Sequence, residues 1–224
     1  MSGSSLRRGL AVLAASGAVF TIAILVRGPM PQPTDPAAFA QWCYGPYTRF
    51  AWAAILGGGV LELLGLTALY AAVTRERPSA AAQAGWVLSM AGMSLAMVLF
   101  GFMAMAAPRI AQLYLQGDTR VMEVVTAFFG GTRLSTAILA AMTLAYIAGC
   151  VLTAVAAWRH TTAPRWAAVA FVLHAPLLSI PVPFPLEIAG GVLLLLAGIG
   201  YLALASSPAL APAAATREGV LAGA

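Results

Sequence analysis

Residues 56 to 65 read LGGGVLELLG, and the acid in that stretch has no other charged residue for twelve positions on either side. Drawn as a helix, the chain places Glu62 about 19.5 Å from both Arg49 and Arg75. A carboxyl there can hold and release a proton, take a cation, or protonate a substrate. As a neutral acid it can instead tie helices together by hydrogen bonds. An acid at the centre of a membrane helix costs roughly 2.5–3.5 kcal/mol on insertion scales. Gly58 and Gly65 lie on the same helix face, at i−4 and i+3. Small residues mark the side on which a second helix approaches, so Glu62 is expected to face protein. Its expected partners are Ser89, Ser94 or Thr67.

Two other groups could join it. His174 lies nine residues after Arg165, and Cys150 nine before Arg159, so both fall about 13.5 Å along their helices. Cysteine and histidine at one level suggest a metal or haem ligand pair, and Met90, Met93 and Met97 form a helical stripe. Zinc, however, takes three or four protein ligands, and a bis-histidine haem needs a second deep histidine. A methionine stripe also serves as adaptable packing. No cofactor and no metal are expected. GxxxxGK[ST], GxSxG, HExxH and CxxC are absent, which removes the common nucleotide, hydrolase and zinc signatures.

The elements that must position these residues follow from composition. Of 224 residues, 61% are hydrophobic and 8% charged, with a mean hydropathy of +0.90. A soluble domain carries about 25% charged residues, so a chain this apolar belongs in a bilayer. The twelve basic residues are all arginine and are scattered singly, which excludes the basic stripe of a nucleic-acid binder. Two cysteines, Cys43 and Cys150, provide no disulfide framework.

Apolar runs of roughly 20 residues predict six membrane helices, at about 9–26, 50–73, 84–106, 134–157, 165–181 and 187–206. The first run is longer than a signal-peptide core and is read as a retained span. The fifth is short and broken by Pro176. Arginine placement sets the orientation. One side holds Arg7, Arg8, Arg75, Arg77, Arg159, Arg165 and Arg217 against Glu76 and Glu218; the other holds five arginines against four acids. Both termini are therefore expected in the cytoplasm of a cell whose membrane the protein crosses, with 207–224 as a flexible cytoplasmic tail.

On the opposite side the sequence predicts cap segments. A short helix can start at Asp35-Pro36, where proline suits a first turn. Trp42, Tyr44 and Tyr47 read as interface anchors near Arg49. In 117–131, Val121, Val124, Val125 and Phe128 repeat at helical spacing, predicting an amphipathic interfacial helix. Arg133 and Glu187 complete the charged groups on that face.

The chain also echoes itself. TRFAWAAILGGGVLELLGLTALYAAVTRE (48–76) aligns with TRLSTAILAAMTLAYIAGCVLTAVAAWRH (132–160), matching Thr48/Thr132, Arg49/Arg133, Gly65/Gly149 and Arg75/Arg159. VLSMAG from Val87 stands beside VLHAPL from Val172. A duplicated helical hairpin is one reading, shared composition the other. LTALYAAVTRERPSAAAQAGWVLSMAG (66–92), APRWAAVAFVL (163–173) and EIAGGVLLLLAGIGYLALA (187–205) resemble a class of bacterial six-helix membrane proteins of unknown function. That resemblance implies fold and location and assigns no activity.

Missing catalytic constellations and glycine-lined helices point first to a non-enzymatic role: a scaffold, a subunit beside other membrane proteins, or a binder of lipid or a hydrophobic ligand. Glu62 and the echo support a proton-coupled transporter as the alternative. A membrane enzyme using Glu62 as acid on a lipid or isoprenoid is a third reading, although no second deep acid partners it.

Overall fold

The computed structural model describes residues 3–31, 35–75 and 78–206. Those residues form helices and short connections, with no strand among them. Helix α1 spans Gly3–Arg27, α2 Pro36–Tyr44, α3 Pro46–Val73 and α4 Ala80–Gly101. A π-helical turn over Phe102–Ala106 leads into α5, Ala107–Leu115. A 3-10 turn, α6 (Met122–Thr126) and a second π turn (Ala127–Gly131) follow. Then come α7 (Arg133–His160), α8 (Arg165–Ser179) and α9 (Phe184–Tyr201).

Local chemistry fixes where these helices begin. Asp35 accepts a hydrogen bond from Ala38 N at 3.0 Å, and Ser79 from Ala82 N at 3.3 Å. At α7, Thr132 and Ser135 satisfy each other's backbone N–H groups in a capping box. Proline sits in the first turn of α2, α3, α5 and α9, where its missing N–H costs nothing.

Five helical stretches among the described residues are long and apolar enough to cross a membrane: Ser4–Arg27, Pro46–Val73, Ala80–Leu115, Arg133–His160 and Phe184–Ala205. This is the make-up of a multi-pass membrane protein. The perimeter agrees with it. Leu64, Val98, Met105, Leu134 and Leu144 are each more than half exposed, far more apolar surface than a water-soluble monomer presents.

Each long helix packs mainly against two neighbours, α1 against α3 and α9, α4 against α3 and α7, and α8 against α7 and α9, and α3 also touches α7. The six therefore close into a ring. Glycine lines several of its seams, two of them as follows. Gly17 of α1 lies against the Leu195 backbone of α9, and Gly198 answers against Ala14. Between α4 and α7, Gly85 and Gly92 meet Thr153 and Tyr146, while Gly149 meets the Ser89 backbone. Without a hydrophobic drive between helices in lipid, such close backbone approach supplies dispersion contact.

Three boundaries differ from the sequence reading. The third run, expected to stop at 106, continues as helix to Leu115; the π turn at 102–106 widens the backbone just where Pro108 lacks an N–H. Helix α8 ends at Ser179, not 181, because the segment before Pro181 and Pro183 cannot stay helical. The expected amphipathic helix of 117–131 is broken into three short pieces, whose buried residues are Met122 and Val125, with Val124 54% exposed. Arg77, Glu76 and the 207–224 tail lie outside the described residues.

Candidate functional site

Glu62 is fully buried on α3, as are His174 on α8 and Ser89 on α4. The serine and threonine partners expected for the acid do not meet it. Ser94 and Thr67 are exposed, and Thr67 donates to the Leu63 carbonyl of its own helix. Ser89 lies 3.9 Å from the Cys150 sulfur. The acid's partner is Tyr146 of α7, whose hydroxyl donates to Glu62 Oε1. His174 Nε2 lies 2.8 Å from the same hydroxyl oxygen and 3.5 Å from Glu62 Oε1. Three helices thus deliver an acid, a phenol and an imidazole to one point, fully enclosed.

Counting hydrogens limits what this trio can be. His174 Nδ1 faces the Phe171 carbonyl, which only accepts, so Nδ1 carries a hydrogen. One hydrogen must lie between Nε2 and the tyrosine oxygen, and another between that oxygen and Glu62. Two arrangements satisfy both contacts. In one, an imidazolium donates to the tyrosine and the tyrosine to a carboxylate. In the other, a neutral carboxyl donates to the tyrosine and the tyrosine to a neutral imidazole. Both hold the same number of protons and no net charge. They interconvert when two protons shift one place along the chain. A proton-storing relay and a structural tie are both within this chemistry.

Tyr146 also lines a cleft. Its apolar walls come from Phe20, Ile24, Ile55, Met93, Phe100 and Leu177, so α1, α3, α4, α7 and α8 all contribute. The cleft has a volume of about 120 Å³. Arg27 and Glu187 stand on the lining too and form an ion pair, their side chains 6% and 19% exposed. The Arg27 guanidinium lies 5.4 Å from the Trp52 ring centre and 5.9 Å from that of Trp42. Trp42 Nε1 in turn donates to the Arg27 carbonyl at 3.2 Å. Trp52 lines the cleft, and its indole N–H has no acceptor among the described residues.

The remaining sequence candidates are placed elsewhere. Tyr44 and Tyr47 are 45% and 74% exposed, and Arg49 and Arg133 are exposed. Trp42 is turned inward rather than serving as an exposed anchor. Cys43 and Cys150 are separate free thiols, and burial pushes the Cys43 thiol up to about 12. Among the described residues no three histidine, cysteine or acidic side chains gather in a way that could hold a metal.

Sequence reasoning overlooked Tyr146, Arg27 and Trp52. A signal for Tyr146 existed. It stands 84 residues after Glu62, the offset that relates Thr48 to Thr132, and His174 follows Ser89 at 85. Thr143, Tyr146, Cys150 and Thr153 also recur at i, i+3, i+7 and i+10, a polar stripe on an otherwise apolar helix. Compared with protein-family models, curated proteins and solved structures, the chain matches none.

Proposed function

We propose that this protein binds a hydrophobic small molecule or lipid in the cleft at the centre of its helical ring. The observation that carries the reading is the cleft itself: a largely apolar space framed by six helices, with a few polar groups at fixed places. Sites for small molecules have this character. A scaffold or complex subunit needs no such interior space. Ala96 stands on the lining, and Ala96→Trp would fill the cleft while leaving Glu62, Tyr146 and His174 unsubstituted. Mass spectrometry of the protein purified in mild detergent should find a lipophilic compound with the wild type and at least tenfold less of it with Ala96→Trp. Equal recovery from both proteins would count against the cleft.

A proton-coupled transporter is the second reading, favoured by one observation. Tyr146 belongs both to the cleft lining and to the proton-holding trio, so occupancy and proton position can influence each other. On this reading Glu62 and His174 handle the proton and Tyr146 connects it to the ligand.

The proposed setting is the cell membrane, with α8 as a sixth crossing, both termini in the cytoplasm and the Arg27–Glu187 end outside. The excess of arginine on one side supports it. A reporter active only outside the cytoplasm, fused within 75–79, should be silent there and active when fused near Gly117. Activity at 75–79 would invert the orientation.

A further inference from the structure

If the cleft is a ligand site, the reading on which this inference rests, its polar groups narrow the chemistry of the molecule it takes. Arg27 and Glu187 neutralise each other on the lining, so the wall offers no net charge to an ionic head group. Thr143 donates to the Ser179 carbonyl at 3.3 Å, and the Tyr146 hydroxyl is engaged with Glu62 and His174. Trp52 is different. It is 7% exposed, and it is the one residue of the lining with a buried polar atom that has no partner among the described residues. That atom is a donor and cannot accept.

A buried N–H without an acceptor is costly; this one is closed off from the open part of the cleft, and a bound molecule that turns the ring and brings an acceptor removes the cost. An indole N–H beside a neutralised ion pair favours an uncharged oxygen acceptor. A carboxylate or phosphate would have to displace Glu187 from Arg27 or sit beside it. Besides Trp52, Arg27, Glu187, Thr143, Ser179 and Tyr146, the lining is apolar.

We propose that the cleft binds an uncharged lipophile carrying a carbonyl oxygen, with that oxygen accepting from Trp52 Nε1 near Arg27 and its hydrocarbon body lying along Phe20, Met93, Phe100 and Leu177. A free ketone or quinone and a glyceride ester share this acceptor.

Dissociation constants for 2-tridecanone, n-tridecane and tridecanoate, measured on the full chain in detergent by ligand-induced shifts in thermal midpoint, test the assignment. The ketone should bind about fivefold more tightly than the alkane, the worth of one net hydrogen bond, and more tightly than the carboxylate. Trp52→Phe keeps the ring and removes the N–H. In that variant the ketone should fall to the alkane's affinity while the alkane's own binding is unchanged. Glu187→Gln supplies a second reading should Trp52→Phe not fold: with Arg27 uncompensated, the preference should move toward tridecanoate. Dioleoylglycerol added against bound ketone separates the sources, displacement pointing to a membrane ester and failure to displace to a free lipophile. Equal binding of ketone and alkane to the wild type, a ketone preference that survives Trp52→Phe, or a wild-type preference for tridecanoate would overturn the carbonyl assignment and leave the cleft as an unselective lipophile site. Failure of both ketone and alkane to bind would remove the ligand-binding reading as well.

Discussion

Gly149→Leu should yield no monodisperse, folded protein, whereas Gly57→Leu should purify and melt like the wild type. A side chain at 149 would begin 2.3 Å from the Ser89 backbone nitrogen and 2.8 Å from the Gly85 carbonyl oxygen. Neither obstacle can rotate away, because both are main chain inside a helix. Overpacking ordinarily costs about 1–3 kcal/mol, and a rigid backbone obstacle should take the cost beyond about 3 kcal/mol. That is a large part of the total stability of a typical protein. Gly57, on the exposed side of α3, has nothing within 4 Å of an added Cβ. The comparison therefore separates close helix approach from the general effect of removing a glycine. Size-exclusion profiles and thermal midpoints in one detergent would measure it, and equal behaviour of the two variants would dismiss the glycine seam between α4 and α7.

The second large effect is expected at Glu62. Glu62→Leu leaves the Tyr146 hydroxyl with His174 alone and puts hydrocarbon against a polar pair, a loss of about 2 kcal/mol or more. Glu62→Gln is different. Its amide can donate to the tyrosine oxygen while the tyrosine donates to His174, which copies the neutral-carboxyl arrangement atom for atom. Stability should stay within about 1 kcal/mol of wild type. What the amide cannot do is give up a proton, so the imidazolium–carboxylate arrangement of the trio disappears. If proton movement belongs to the function, Glu62→Gln abolishes proton-dependent uptake of the ligand in proteoliposomes while the protein still inserts and melts normally. Undiminished uptake would reject the transporter reading and leave Glu62 as a tie between α3, α7 and α8.

Much of the helical layout was legible because apolar run length is a strong constraint. The first run and the spans of α3, α7 and α9 lie close to where hydropathy puts them, and the short helix from Pro36 starts where proline suits a first turn. The misses have physical causes. The third run read as ending at 106 because its apolar stretch closes before Arg109, but a π turn carries the helix past Pro108. The 117–131 pattern read as one amphipathic helix, yet it is short enough for tertiary contacts to break it into turns. For the site, Glu62 stood out as a charge in hydrocarbon, and its enclosure followed from Gly58 and Gly65. Its partners did not follow, since Ser94 and Thr67 sit on outward faces that composition does not reveal. Tyr146 was hidden for another reason: a tyrosine in an apolar helix raises no alarm until the 84-residue offset sets it opposite an acid. Arg27 had registered only as one unit of charge at a helix end. Its pairing with Glu187, 160 residues on, is invisible to any local pattern.

Helix α8 has a consequence for the surrounding lipid. Its 15 residues rise about 22.5 Å, against a hydrocarbon thickness of about 30 Å. Its neighbours α7 and α9 run to 28 and 18 residues, so the ring is uneven in height. If α8 is the sixth crossing proposed above, acyl chains beside it must shorten or bend, at fractions of a kcal/mol per Å of mismatch. Short or unsaturated chains meet that demand at least cost and should gather along this one side. The bilayer around the protein is then dimpled rather than uniform, and a membrane thickened by long saturated chains would hold the protein less comfortably than a thin, fluid one.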